Sequence, residues 1–394
     1  MDFITGNISQ VYSSPIIPFK GTDSVTNPQT MTTNSIFDGY NNNLITQHVD
    51  GFIKQNKPAL EYWRPQYSPA GFNNYENMLV RDAQGNIVQE VKFSKKGNTI
   101  TQTINVNSVD GSKFSKVLTQ NGNKKMMDIN VKDKLGNILV QENRTYEKLD
   151  DDTAISTRNG VEYKISGLKG NVITVEHEGK KEVIDFNQKI FPTTEKLDQS
   201  STGKNITEEQ KEFLISRIKN RPGDLILTFA NEIDKFTFMD EDGYEGWYCG
   251  YKDNRPEERN DAIRILKTCR AADNMLELHE LGHGVNEQNN KSGNCWSDLN
   301  LIYHAVREKE INDFHNNMSS NDYKSYMQKF TNGEHMLSSG MTREECKLVS
   351  ANEEFAETFG FYNNMDIENV NFRTTSLIQY MPASSRMAYN ASNV

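Results

Sequence analysis

The sequence is poor in several features that would place it quickly. Among 394 residues only four are cysteine (Cys249, Cys269, Cys295 and Cys346), and no two form a CxxC pair. A structural zinc knuckle is therefore not expected. The four thiols read as reduced and mostly buried, with disulfides an option only in an exported protein. No apolar run approaches membrane-spanning length; the longest stop after about five or six residues. The opening MDFITGNISQVYSS lacks a basic start followed by an apolar stretch, so no Sec-type signal peptide is expected. That leaves the cytoplasm or a non-Sec export route. Positive charge is also short, with a formal net charge of −10. Phosphate binding needs clustered Lys and Arg, so neither nucleic acid nor an anionic membrane is expected as the main partner. Hydrophobic residues amount to 35%, below the globular norm, and part of the chain is expected to lie outside any core.

What is present falls into zones, and the length suits two domains plus loose sequence. Residues 1–60 are rich in Asn, Ser, Thr and Gln without periodicity, the composition of a disordered or loosely attached arm. Residues 61–186 are expected as an antiparallel β module. From about Tyr75, alternating runs such as Ile87–Phe93, Thr99–Val106, Lys125–Val131, Val161–Ile165 and Val172–His177 are separated by Gly-Asn, Asp-Gly and Asn-Gly turn signals. VRDAQGNIV at 80–88 resembles VKDKLGNIL at 131–139, which suggests a repeated hairpin. Such a module is more often a spacer or binding scaffold than a catalytic site. Residues 187–204 read as a linker and 205–394 as an α+β domain. In that domain Thr207 and Gln210 resemble a capping box opening a helix to about Lys219, and Pro222-Gly223 breaks it. Leu225–Phe229 reads as a buried strand, and Gly246–Lys252 and Ala262–Leu266 as two more. Helices are expected over 270–286, 297–314, 322–330 and 343–363.

The run LELHELGHGVNEQ contains His279-Glu280-Leu281-Gly282-His283, an HExxH pattern. On a helix, positions i and i+4 share a face, so both imidazoles can reach one metal ion. Glu280 lies about 100° round from His279, placed to handle the proton of an attacking water without being a ligand. Two neutral His ligands suit Zn2+, which lowers the pKa of its water to about 7. With seven His in the chain, chance would yield HExxH in roughly one such sequence in a hundred. Gly282 is expected to let a strand or substrate backbone come close. A buried His pair satisfied by hydrogen bonds is the alternative. Catalytic zinc needs a third protein ligand. The metzincin continuation fails, since Asn286 and Asn289 stand where it needs Gly and His. A later helix carrying ANEEFAETF offers carboxylates instead. Glu353 and Glu357 lie one turn apart beside the Phe355/Phe359 stripe, with Glu354 turned away, so that its loss is expected to be mild. Inward carboxylates are costly unless they meet a cation.

HELGHGVN followed by NEEFAETF resembles the catalytic domain of the anthrax lethal factor family, which includes the Pro-Pro endopeptidases. The resemblance is loose over about 225–362 and tight only in these two motifs. It implies a zincin-like fold and a zinc endopeptidase of toxin or effector type. It maps the zinc ligands onto His279, His283 and Glu353, the general base onto Glu280, and a supporting carboxylate onto Glu357. It also implies an edge strand that takes up an extended peptide or protein substrate by β-addition. Two departures stand out. Cys346 occupies the position of the family's oxyanion-stabilising tyrosine, leaving that role to another group such as His335, and the interval between His283 and Glu353 is long. A different HExxH peptidase lineage would share the chemistry. A protein with a degenerate zinc site, whose β module serves binding or adhesion, is the alternative from another class.

Overall fold

Period-two alternation of apolar and polar residues directs the middle of the chain into strands, each with one face to bury. The computed structural model describes residues 61–63, 77–81, 85–195, 208–233, 235–239, 246–249, 262–266, 276–288, 295–317, 343–367 and 372–392. The arm expected over 1–60 and the helix expected over 322–330 lie outside them. The first strands are β1 (Glu61–Trp63), β2 (Met78–Arg81), β3 (Ile87–Lys96), β4 (Thr99–Asn107), β5 (Lys113–Asn121) and β6 (Lys124–Lys132). They are followed by β7 (Ile138–Lys148), β8 (Thr153–Arg158), β9 (Val161–Ser166), β10 (Val172–His177) and β11 (Lys180–Asp185). These eleven strands form one antiparallel meander in sequence order, which is the β-rich middle part that the turn spacing suggested.

The duplicated segment proves to be a duplicated hairpin. In β2–β3 the register shifts between Val80 and Arg81; in β6–β7 it shifts between Val131 and Lys132, the matching positions of the two copies. Both turns carry a glycine at positive φ, Gly85 at 83° and Gly136 at 92°, a conformation that L side chains rarely adopt.

A short helix α1 (Phe186–Lys189) leads into β12 (Ile190–Glu195), then come α2 (Glu208–Lys219), α3 (Gly223–Glu232), β13 (Lys235–Met239), β14 (Gly246–Cys249) and β15 (Ala262–Leu266). Strands β12 to β15 make a second, mixed sheet in the order β12-β13-β15-β14. Its first three strands run parallel and β14 is the antiparallel edge. The remaining helices are α4 (Leu276–Gln288), α5 (Trp296–Leu299), α6 (Leu301–Asn317), α7 (Arg343–Asn363), α8 (Phe372–Tyr380) and α9 (Pro382–Ala391). Among the described residues no helix is long and apolar enough to cross a membrane.

Three expectations are corrected. The first nine residues of the 187–204 linker are ordered as most of α1 and all of β12, because β12 pairs with β13. Leu225–Phe229 is not a strand but the middle of α3, a reading that a five-residue apolar run leaves open. Leu225, Ile226 and Phe229 bury one helical face while Asp224 sits in the first turn. The helix expected over 297–314 is broken at Asn300, whose Oδ1 accepts the Tyr303 N–H at 2.9 Å and caps α6.

One face of the meander is the floor on which the helices sit, and the buried apolar residues of both parts form one continuous core. On it Phe114 of β5 meets the rings of Phe361 and Tyr362 at the end of α7, at 5.7 and 5.6 Å. Polar residues on this face also reach across. Gln89 of β3 donates to Gln379 of α8 at 2.7 Å, and the ammonium of the fully buried Lys116 donates to the Phe361 carbonyl. On β7, Glu142 and Arg144 are both wholly buried. Arg144 Nη2 lies 2.8 Å from Glu142 and 3.0 Å from Asp224 of α3, with Arg158 beside both carboxylates. Burial pushes the Glu142 carboxyl up, but the charges of Arg144 and Arg158 outweigh it and hold its pKa below the ordinary glutamate value. Breaking such a buried cluster leaves an uncompensated charge, at a cost of about 3–5 kcal/mol. Arg144→Ala is therefore expected to destabilise the chain by about that much. Urea unfolding followed by both near-UV circular dichroism and tryptophan fluorescence should show one shifted transition; loss of the sheet alone, with the helices intact, would contradict the shared core.

Candidate metal centre

Helix α4 is buried on every described side, yet much of it is polar: Glu277, His279, Glu280, His283, Asn286 and Glu287 all have at most 7% exposure. Leu278, Leu281 and Val285 supply its apolar stripe at i, i+3 and i+7. Burying so many polar groups is tolerated only where each meets a partner.

The main partner is α7. Its contacts run in opposite order along the two helices: His279 faces Glu357, Gly282 faces Ala356, and His283 faces Glu353 and Asn352. The pair is therefore antiparallel. Gly282 is what lets it close. A Cβ there would lie 2.8 Å from the Ala356 Cα and 3.0 Å from the Phe359 Cβ. The close approach foreseen for Gly282 thus belongs to the backbone of α7 rather than to a strand or a substrate.

That approach brings the expected ligands together. His279 Nε2 and His283 Nε2 stand 3.2 Å apart. The Glu353 carboxylate lies 3.3 Å from the first and 3.6 Å from the second. Around a tetrahedral zinc with bonds of about 2.0–2.1 Å, neighbouring donor atoms sit about 3.3–3.4 Å apart. The three side chains thus fit one small cation, and their donor atoms all fall within 4.8 Å of one another. Two imidazoles and one carboxylate form a donor set that suits zinc and leaves a fourth position for another ligand. Glu280, 1% exposed, follows His279 on the same helix.

Around these residues lies a second layer. Glu357, wholly buried, places Oε1 3.8 Å from His279 Nδ1, beyond hydrogen-bond distance. On His283 the rear nitrogen Nδ1 meets Asn352 Oδ1 at 3.0 Å, and Asn286 Nδ2 donates to the same oxygen at 2.7 Å. Asn286 is in turn fastened to the start of α5, accepting the Ser297 N–H and donating to Ser297 Oγ, both at 2.9 Å. Asn286 and Asn352 were not singled out as site residues from the sequence. The signal that could have found Asn286 is a polar residue one turn after His283 on a helix without an exposed face.

The outer ends of the helix pair are clasped by arginine. Arg221 donates to Glu277 at the start of α4 and to Asp366, just past the end of α7, the latter at 3.0 Å. Arg217 of α2 also donates to Glu277, and Lys125 of β6 pairs with Asp366. Burial pushes the Asp366 carboxyl up, and the charges of Arg221 and Lys125 more than reverse this, lowering its pKa below the ordinary aspartate value. Glu354 is turned away from the candidate ligands, as expected, but the mild effect expected of its loss is corrected, because it is buried against an arginine. It is 4% exposed and receives Arg307 of α6 through two bonds of 2.8 and 2.7 Å.

Other candidates are placed less closely. Cys346 falls in the first turn of α7, and its side chain, like His335, lies outside the described residues. His304 Nε2 bonds the Asp298 carbonyl at 3.0 Å, a structural contact. Edge strand β14, bearing Trp247 and Tyr248, runs beside α4.

Compared with protein-family models, with curated proteins and with solved structures, the chain matches none. The convergence of His279, His283 and Glu353 therefore carries the functional reading.

Gly282→Ala is expected to push α4 from α7, lowering stability by about 1–3 kcal/mol and weakening zinc binding, because Glu353 is carried away from the two histidines. Thermal melts and zinc titration of this variant check both effects together. Unchanged melting and unchanged affinity would contradict the close packing.

Proposed function

We propose that the chain is a zinc-dependent endopeptidase with a zincin-like helical part. His279, His283 and Glu353 hold the metal, and the observation that carries this is their convergence at tetrahedral-edge spacing. Zinc bound there supplies Lewis acidity and lowers the pKa of a water ligand to about 7. Glu280 then serves as general base, accepting a proton from the attacking water and returning it to the leaving amine. Its burial keeps bulk water from competing for that proton. Glu357 and Asn352 steady the two imidazoles from behind. The substrate is a peptide or protein segment in extended form, taken up along the edge of β14 by β-addition. The likeness of HELGHGVN and NEEFAETF to the lethal factor family supports the same assignment.

One feature favours a second reading, a zinc protein without turnover: Cys346 stands where that family has its tyrosine.

Four variants separate these readings. Glu353→Ala is expected to lose the metal. Glu357→Ala should weaken metal binding about 10–100-fold. Glu280→Gln should keep zinc but lose cleavage by about a hundred- to ten-thousand-fold. Glu354→Ala should keep the ligands yet lose about 3–5 kcal/mol of stability, because Arg307 is left buried without its carboxylate. Zinc affinity, melting temperature and cleavage of a proteome-derived peptide library are measured for each. A wild-type protein that binds zinc and cuts no peptide in the library would support the second reading. Cleavage that survives in Glu280→Gln would overturn the assigned base.

A further inference from the structure

A histidine has two ring nitrogens, and which one offers a lone pair depends on what the other one bonds. For His283 that choice can be traced through three hydrogen bonds to a group that has no choice. The backbone N–H of Ser297 can only donate, and it lies 2.9 Å from Asn286 Oδ1. This contact decides which end of the Asn286 amide is oxygen. Its Nδ2 therefore points to Ser297 Oγ at 2.9 Å and to Asn352 Oδ1 at 2.7 Å, one acceptor for each of its two protons. An amide nitrogen does not accept, so the end of Asn352 that faces it must be the oxygen. The same oxygen is 3.0 Å from His283 Nδ1. An amide oxygen does not donate, so Nδ1 carries the proton and, in the neutral ring, Nε2 is left as the lone pair. Nε2 is the nitrogen that faces His279 Nε2 at 3.2 Å and the Glu353 carboxylate at 3.6 Å. Asn286 and Ser297 have no exposure, so bulk water does not compete for the two bonds between them.

We propose that Asn286 and Asn352 are positioning residues that fix His283 as its Nδ1–H tautomer, with the Ser297 backbone N–H as the fixed end of the relay. What the tautomer is for rests on the zinc reading; the tautomer itself is a property of the metal-free chain. The relay has a polarity that substitutions can reverse without changing shape. Asn286→Asp still accepts from Ser297 but has only acceptors to show Asn352. The Asn352 amide then turns its nitrogen towards both Asp and His283, whose Nδ1 must accept, and the proton moves to Nε2. Asn352→Asp keeps an acceptor facing both donors and so keeps the tautomer. Asn352→Leu removes the bias altogether.

The test is long-range proton–nitrogen correlation NMR of the 15N-labelled histidine rings in the full-length protein. Zinc is stripped by chelator, and the pH is alkaline enough for neutral rings. In the wild type and in Asn352→Asp, His283 should show a pyrrole-type Nδ1 and a pyridine-type Nε2. In Asn286→Asp the two should exchange, and zinc affinity should fall by about 10–100-fold while that of Asn352→Asp holds. A purely structural role for Asn286 would not move the ring proton. If Asn286→Asp does not fold, Asn352→Leu serves instead, with a mixture of tautomers expected. A wild-type ring protonated on Nε2, or an unchanged pure Nδ1–H form in Asn286→Asp or Asn352→Leu, overturns the proposal. A wild-type Nδ1–H ring in a protein that takes up no zinc leaves the relay standing and removes the zinc reading instead.

Discussion

The distance between α4 and α7 is limited by one residue without a side chain. At Gly282 the backbone of α7 comes close enough that a single methyl group would meet the Ala356 Cα at 2.8 Å. Protein interiors are close-packed and do not absorb an extra carbon freely. The facing residue is correspondingly small, and Phe359 closes over the other side. The candidate ligands flank this contact, since His283 follows Gly282 directly and Glu353 lies one turn before Ala356. A helix pair held further apart would leave two histidines and a glutamate as separate buried polar groups, each with a desolvation cost and no shared cation.

The rest of the molecule keeps that pair in register. Arg221 joins the start of α4 to the residues just past α7, and Lys125 of β6 extends the alternation of charges into the meander. On the other side Arg307 ties Glu354 and Ser350 of α7 to α6. Underneath, the Glu142–Arg144–Asp224 cluster and the Gln89–Gln379 bond fasten the helices to the sheet face. The meander therefore acts as a floor for the helices rather than as a separate bead on a string. Buried ion pairs are weak sources of net stability, but they penalise misplacement strongly. That suits elements whose relative position fixes a site of a few ångströms.

Strong local signals in the sequence match local structure. The Gly-Asn and Asn-Gly turns mark the hairpins of the meander, the duplicated stretch became two hairpins with the same register shift, and the periodicity of REECKLVSANEEFAETFGFYN marked α7 at its observed bounds. HExxH points to the closeness of His279 and His283, because helical spacing alone puts two imidazoles on one face. Signals that depend on distant partners were not legible. Leu225–Phe229 is apolar enough for strand or helix, and packing against the sheet settled it as helix. A mild effect is expected for loss of Glu354 because Arg307, 47 positions away, is invisible in the sequence as its partner. The supporting role of Asn286 and Asn352 is not legible in the sequence, because an asparagine matters here only through three hydrogen bonds to other elements. The 187–204 segment looked like linker because β12 is a strand only by virtue of its pairing with β13.

The proposed chemistry depends on a cation held between α4 and α7, and X-ray absorption at the zinc edge tests it most directly. The full-length protein, loaded with zinc and freed of excess metal, is predicted to hold one zinc per chain. Its coordination shell should contain two imidazole nitrogens at about 2.0–2.1 Å together with carboxylate oxygen, and Glu353→Ala should lose that shell. Failure to retain zinc at neutral pH, or a shell of sulfur or of water alone, would contradict the account.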